Sequence, residues 1–119
     1  AASDDDYPAL LREADDRPHV LFVQGNVDAL SMRTLTMVGT REATSSGLHV
    51  VDRLVGGLCD KLGDLCIVSG LAYGIDAASH RAALTYGAKT VAVVANVLPE
   101  VSPSQHRALA DEILRSGGA

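Results

Sequence analysis

Four short apolar runs constrain this chain most: "VLFVQG" from Val20, "TLTMVG" from Thr34, "LCIVSG" from Leu65 and "TVAVVAN" from Thr90. They are rich in β-branched residues and lack the strict alternation of a sheet with one wet face, so they read as strands covered on both faces. Three end in Gly or Ser-Gly, and the fourth ends at Asn96. Aromatic residues make up 3% of the chain, with one Phe and no Trp, so the core must be built from Val, Leu, Ile and Ala. Such cores suit buried parallel strands flanked by helices. At 119 residues and 47% hydrophobic content, residues 1–119 make one globular domain and are too few for two ordinary ones.

Helical patterns fill the gaps between the later runs. In "SSGLHVVDRLVGGLCDKLG", Leu48, Val51, Leu54, Val55, Leu58 and Leu62 recur at helical spacing; Thr44, Ser45 or Ser46 can cap the start, and Gly63 marks the stop. Gly56-Gly57 inside this helix would cost roughly 1 kcal/mol each relative to Ala, and close packing of the helix on the sheet is the expected reason for them. "GIDAASHRAALTYG" reads as a helix with Asp76 near its start and Gly87 at its end. "SPSQHRALADEILRSGG" reads as another, with Ser102 or Ser104 as cap, Pro103 near the first turn and Gly117-Gly118 at the end. The alternation predicts an α/β fold, doubly wound, with a mostly parallel sheet and helices on both faces. Such sheets commonly have five or six strands, and the chain stops at "GGA" where a further strand is expected. It therefore reads as a domain shortened on its C-terminal side.

Several function classes are disfavoured. A net charge of −5 argues against a broad basic nucleic-acid surface, so any phosphate contact must be local. Asp4, Asp5, Asp6, Glu13, Asp15 and Asp16 concentrate acid in the head, of which residues 1–6 are expected to be a flexible, solvated end. Cys59 and Cys66 lie among apolar residues with no metal-ligand spacing and read as reduced core cysteines. No apolar run has membrane-spanning length and no signal segment opens the chain, so a cytoplasmic protein without membrane contact is expected.

Ligands of open α/β sheets bind at the carboxyl ends of the strands, and "QGN", "VGTR" and "VSGLAYG" fall there. Gly39 would let the backbone approach a ligand, and Arg41 offers a planar fork suited to phosphate oxygens unless it pairs with Glu42. In the second loop the Ser69 hydroxyl and the amides around Gly70 can bind an anion, and Gly74 permits a turn before the helix. Asn26, just after the first apolar run, and Asn96, at the end of the fourth, complete the candidate set of Gly39, Thr40, Arg41, Ser69, Gly70, Asn26 and Asn96. Two such loops flanking an arginine favour an extended, phosphate-bearing ligand. No GxGxxG and no GxxxxGK[ST] is present, so no cofactor is expected. Asp76 and His80 would share a helix face; a third metal ligand is lacking, so a hydrogen-bonded pair is the expectation and no metal site. His19, His49 and His106 read as surface or packing residues, and no catalytic constellation stands out.

The blocks "YPALL", "RPHVLFVQGN", "MVGTREATSSG", "IVSGLAYGIDAASHRAAL", "KTVAVVAN" and "HRALADEILRSGGA" resemble, in order, the DNA processing protein A (DprA, or Smf) family over nearly the whole chain from Tyr7. The resemblance implies a Rossmann-like domain that binds single-stranded DNA, forms a homodimer, loads a RecA-type recombinase during natural transformation and performs no known catalysis on the DNA. The family's Gly-Ser/Thr-Arg loop falls on Gly39, Thr40 and Arg41, and its Ser-Gly loop on Ser69 and Gly70, implying contacts to the DNA backbone. The sequence departs from the family in three places. Tyr73 replaces a frequent Arg, which removes a charge but offers a ring to stack on a base. Asn96-Val97-Leu98 and Ser102-Pro103 replace Asn-Gly-Leu and Tyr-Pro, and the following Ser-Glu segment is missing. The main alternative is a phosphoribohydrolase of the lysine-decarboxylase-like type acting on nucleoside monophosphates, which would share the phosphate rim; its Pro-Gly-Gly-x-Gly-Thr loop is not in this sequence.

Overall fold

The structure, a computed structural model, describes residues 1–96, 98, 100–101 and 103–119. Its centre is a parallel sheet of β1 (Arg33–Thr36), β2 (Leu65–Ser69) and β3 (Lys89–Ala92) in that spatial order. Arg33 pairs with Leu65 and Thr36 with Val68; Cys66 pairs with Lys89 and Ser69 with Ala92. β2 is thus the middle strand, and four of its five residues are buried. This is the α/β, parallel-sheet class expected, and its strands match the last three apolar runs with ladders that stop short of the runs' carboxyl ends.

Two crossover helices cover one face. α2 (Ser45–Lys61) starts where the Thr44 hydroxyl accepts from the Gly47 amide at 3.1 Å, satisfying a donor that the first turn leaves without a helical partner. α3 (Ile75–Tyr86) ends at Gly87, whose φ of 81° is the left-handed cap conformation. Val51 and Val55 of α2 meet Leu65 and Ile67 of the sheet and Ala82 and Ala83 of α3. The opposite face packs Cys66 and Val91 against Ala29 from a 3-10 helix, Val27–Ser31. A short helix α1 (Ala9–Arg12) lies in the head, and a 3-10 turn, Ser104–His106, leads into α4 (Arg107–Arg115). Leu109 and Ile113 of α4 pack on Leu71 and Ala77.

The glycine pair in α2 has a different basis from the one expected. A Cβ on Gly56 would come within 2.9 Å of the Tyr86 ring of α3, whereas one on Gly57 would meet nothing within 4 Å. The close approach is therefore helix on helix, at Gly56 alone. Gly57→Ala should stabilise the protein by about 0.5–1 kcal/mol through helix propensity, read as a higher urea midpoint with an unchanged slope; Gly56→Ala should gain less, because Tyr86 must move.

The first apolar run is not a strand. Residues 20–25 form no ladder with any described strand, and Phe22 is 86% exposed. Their β-branched composition supplies propensity, but a strand also needs a partner for its backbone groups. Beyond its end the chain is anchored where the Asn26 amide donates to the Gly118 carbonyl at 2.9 Å. Ala119 in turn continues the parallel pattern on the free edge of β3, donating to Thr90 and accepting from Ala92. In the acidic head, the Ala2 amide donates to the His19 carbonyl, and the Arg12 guanidinium donates to the carbonyls of Ala2 and Asp4.

Both cysteines are free. Burial pushes the Cys66 thiol up to about 11, and half-buried Cys59 is also raised, by burial and then by Asp60. Neither is a thiolate near neutral pH. Among the described residues, no helix is long and apolar enough to cross a membrane, and no group of three metal-ligating side chains comes together.

Candidate nucleic-acid interface

A cleft of about 590 Å³ opens at the carboxyl ends of the strands, and Arg41, Gly70, Leu71, Tyr73, Asp76 and Asn96 are among the residues lining it. Three of the residues singled out in the sequence, Arg41, Gly70 and Asn96, are thereby brought together from three different loops.

The loop after β1 is fastened to the start of α3. The Ile75 amide donates to the Thr40 carbonyl at 3.1 Å, and Gly74 crosses against Thr40 and Arg41 with φ 77° and ψ −124°. Gly39 serves this contact: a Cβ there would lie 2.5 Å from the Ile75 side chain. Its small size is used by this packing between loops. The Thr40 hydroxyl accepts from the Glu42 amide at 3.2 Å, which shapes the turn. Arg41 is exposed, and no ion pair involving it occurs among the described residues. The pairing with Glu42 that would have neutralised it is not formed.

The loop after β2 is fixed from inside. The buried Ser69 hydroxyl donates to the Met37 carbonyl at 2.6 Å and ties the ends of β1 and β2 together. Its proton is therefore spent on the scaffold. Gly70 lies so close to Asp76 that a Cβ would sit 2.5 Å from the carboxylate oxygen.

His80 and Asp76 do not form the hydrogen-bonded pair expected from their spacing. Both ring nitrogens of fully buried His80 are otherwise engaged: Nε2 with the Gly70 carbonyl, and Nδ1 with the Thr90 hydroxyl at 2.6 Å. Thr90 also reaches the Ile67 carbonyl at 2.9 Å. Burial pushes the His80 imidazolium below its ordinary range, partly opposed by the Gly70 carbonyl and by Asp76, so the ring is neutral near pH 7.

His106, expected only to pack or face solvent, is 4% exposed and donates from Nδ1 to the Leu71 carbonyl at 2.7 Å. The edge of one ring meets the face of the other where Tyr73 stands over His106, with centroids 5.1 Å apart and planes at 67°. Tyr73 itself remains 43% exposed at the cleft. Asn96 lines the cleft with its side-chain amide donating to the Glu100 carbonyl. Asn26 lies elsewhere: its side chain accepts from the Asp28 amide and caps the 3-10 helix, beside Gly117 and Gly118. The departures at Val97 and Ser102, and Ser102 as a helix cap, lie outside the described residues.

The family model described as DNA recombination-mediator protein A matches residues 1–119. The chain belongs to that family. It is 42% identical over 110 residues to the DNA processing protein DprA of Streptococcus pneumoniae, covering 92% of this chain and 38% of that protein. DprA of Bacillus subtilis is 38% identical over 110 residues, with 92% and 36% covered. Protein Smf of Escherichia coli is 37% identical over 115 residues, with 95% and 30% covered. The X-ray structure of DprA from Streptococcus pneumoniae superposes with a TM-score of 0.85, over 92% of this chain and 38% of that one. The Rossmann-like α/β fold of the DprA family is therefore the fold of this chain, which spans less than two-fifths of the length of these relatives.

Proposed function

We propose that this chain binds single-stranded DNA by its backbone, with Arg41 and the amides of the loop after β2 gripping phosphate at the cleft and Tyr73 presenting a ring to a base. The observation that carries the reading is Arg41, an exposed guanidinium without an ion pair among the described residues, standing at the strand ends in the same cleft as Gly70 and Leu71. The overall charge of −5 gives no general attraction for DNA, so affinity must come from such focused contacts. A guanidinium fork pairs with two phosphate oxygens at once, and an aromatic face accepts any base, which suits binding without sequence preference.

In the whole protein, the bound strand is handed to a RecA-type recombinase and two copies act together; membership of a recombination-mediator family supports this reading. The protein acts in the cytoplasm, as a binder and not as an enzyme. Among the described residues lining the cleft, Asp76 is the lone carboxylate, which gives a glycosidase mechanism of the phosphoribohydrolase kind no second acid to work with.

Arg41→Ala tests the site. In the full-length context, its affinity for an oligo-dT strand should fall about tenfold, and the slope of log affinity against log salt should flatten by about 0.7, the loss of one neutralised phosphate on a single strand. Unchanged affinity with an unchanged slope would remove Arg41 from the interface.

A further inference from the structure

We propose that His80 and His106 are positioning residues for DNA binding, holding two consecutive carbonyls inward so that the amides of Leu71 and Ala72 face the cleft as a phosphate cradle. This inference rests on the reading of the cleft as a phosphate site.

The two rings come from different elements, α3 and the turn before α4, and converge on neighbouring peptide groups. His80 Nε2 meets the Gly70 carbonyl, and His106 Nδ1 meets the Leu71 carbonyl at 2.7 Å. A carbonyl only accepts, so each of these nitrogens carries a proton. In a planar trans peptide the carbonyl and the following N–H point in opposite directions. Pinning the Gly70 carbonyl to a buried ring therefore turns the Leu71 N–H away from the interior. Pinning the Leu71 carbonyl does the same for the Ala72 N–H. Gly70, Leu71 and Ala72 all line the cleft, and neither amide has a hydrogen-bond partner among the described residues.

The rings are well placed for a fixed role. His80 is 0% exposed and His106 4%. A second contact, between His80 Nδ1 and the Thr90 hydroxyl, sets the rotation of the His80 ring. Asp76 sharpens where the phosphate sits. Its carboxylate occupies the first turn of α3 beside Gly70, where it offsets the positive end of the helix dipole and repels an anion. The phosphate therefore belongs over Leu71 and Ala72 and not at the helix end.

Apolar and amide replacements separate positioning from packing. Asn places its amide nitrogen near where His Nδ1 stood, and Gln near Nε2. His106→Leu should lose about tenfold in oligo-dT affinity. His106→Asn should bind within about twofold of the parent. His80→Leu and His80→Gln should divide in the same way. In the parent full-length protein, the Leu71 and Ala72 amide resonances should move downfield when oligo-dT is added. Parent-like binding by folded His106→Leu, equal loss in the Leu and amide variants, or unmoved amide resonances would each overturn the proposal. If the Leu variants fail to fold, the amide variants and the resonances decide it. The Arg41→Ala result stands apart from these: a normal Arg41→Ala effect beside unmoved amides defeats the positioning role alone.

Discussion

Gly74→Ala should destabilise the protein by about 3 kcal/mol or more and weaken with it the DNA binding proposed for the cleft. At φ 77° and ψ −124° the backbone occupies a region open essentially to Gly, which alone costs an ordinary residue on the order of 1–3 kcal/mol. A collision adds to that strain, because a Cβ would run into the Thr40 carbonyl oxygen and lie 2.7 Å from that of Arg41. Both are backbone atoms, so no side-chain rotation relieves the contact. To admit the methyl group, the loop after β1 must separate from α3, breaking the Ile75–Thr40 hydrogen bond and carrying Arg41 away from the cleft. Urea unfolding of the variant beside Gly57→Ala gives the comparison, since one glycine is sterically bound and the other open. A midpoint shift corresponding to less than about 1 kcal/mol would mean that the two loops are not fastened as described.

The second large effect is expected at Ile67→Ala, a loss of about 2–5 kcal/mol. Ile67 is 0% exposed in the middle strand and packs among Val51, Val55, Leu65, Ala82 and Ala83. Two of these neighbours are already alanine and the sheet backbone cannot move in, so the vacated volume stays as a cavity. Folded domains of this size have a total stability of roughly 5–15 kcal/mol, of which this is a large share. A loss below about 1 kcal/mol by calorimetry or urea titration would show that the two helices can close over the gap.

The elements that proved legible are those whose signals are local. Thr44 caps α2 and Gly87 ends α3 through contacts within a few residues, and the middle apolar run is buried on both faces as its composition implied. The run from Val20 misled because composition reports propensity and not the presence of a pairing neighbour. The cleft residues Arg41, Gly70 and Asn96 followed from the general placement of ligands at strand ends. What spacing could not reveal was side-chain chemistry between distant positions: the reach of His106 to Leu71 across 35 residues, the Ser69 bond to Met37 across 32, and the pressure of Ile75 on Gly39. Asp76 and His80 show the converse. Their spacing correctly placed them on one helix, but His80 found better partners in Gly70 and Thr90 than in its helical neighbour.

Thr90 has no exposed surface and sits in a strand, where it would pass for a filler residue. Its hydroxyl nevertheless touches both the Ile67 carbonyl of the neighbouring strand and the His80 ring that reaches Gly70. Valine has nearly the same shape but lacks that hydroxyl. The specification of the cleft thus extends two layers inward, and a sequence change invisible from the surface can reshape the cleft while leaving every residue that lines it unaltered.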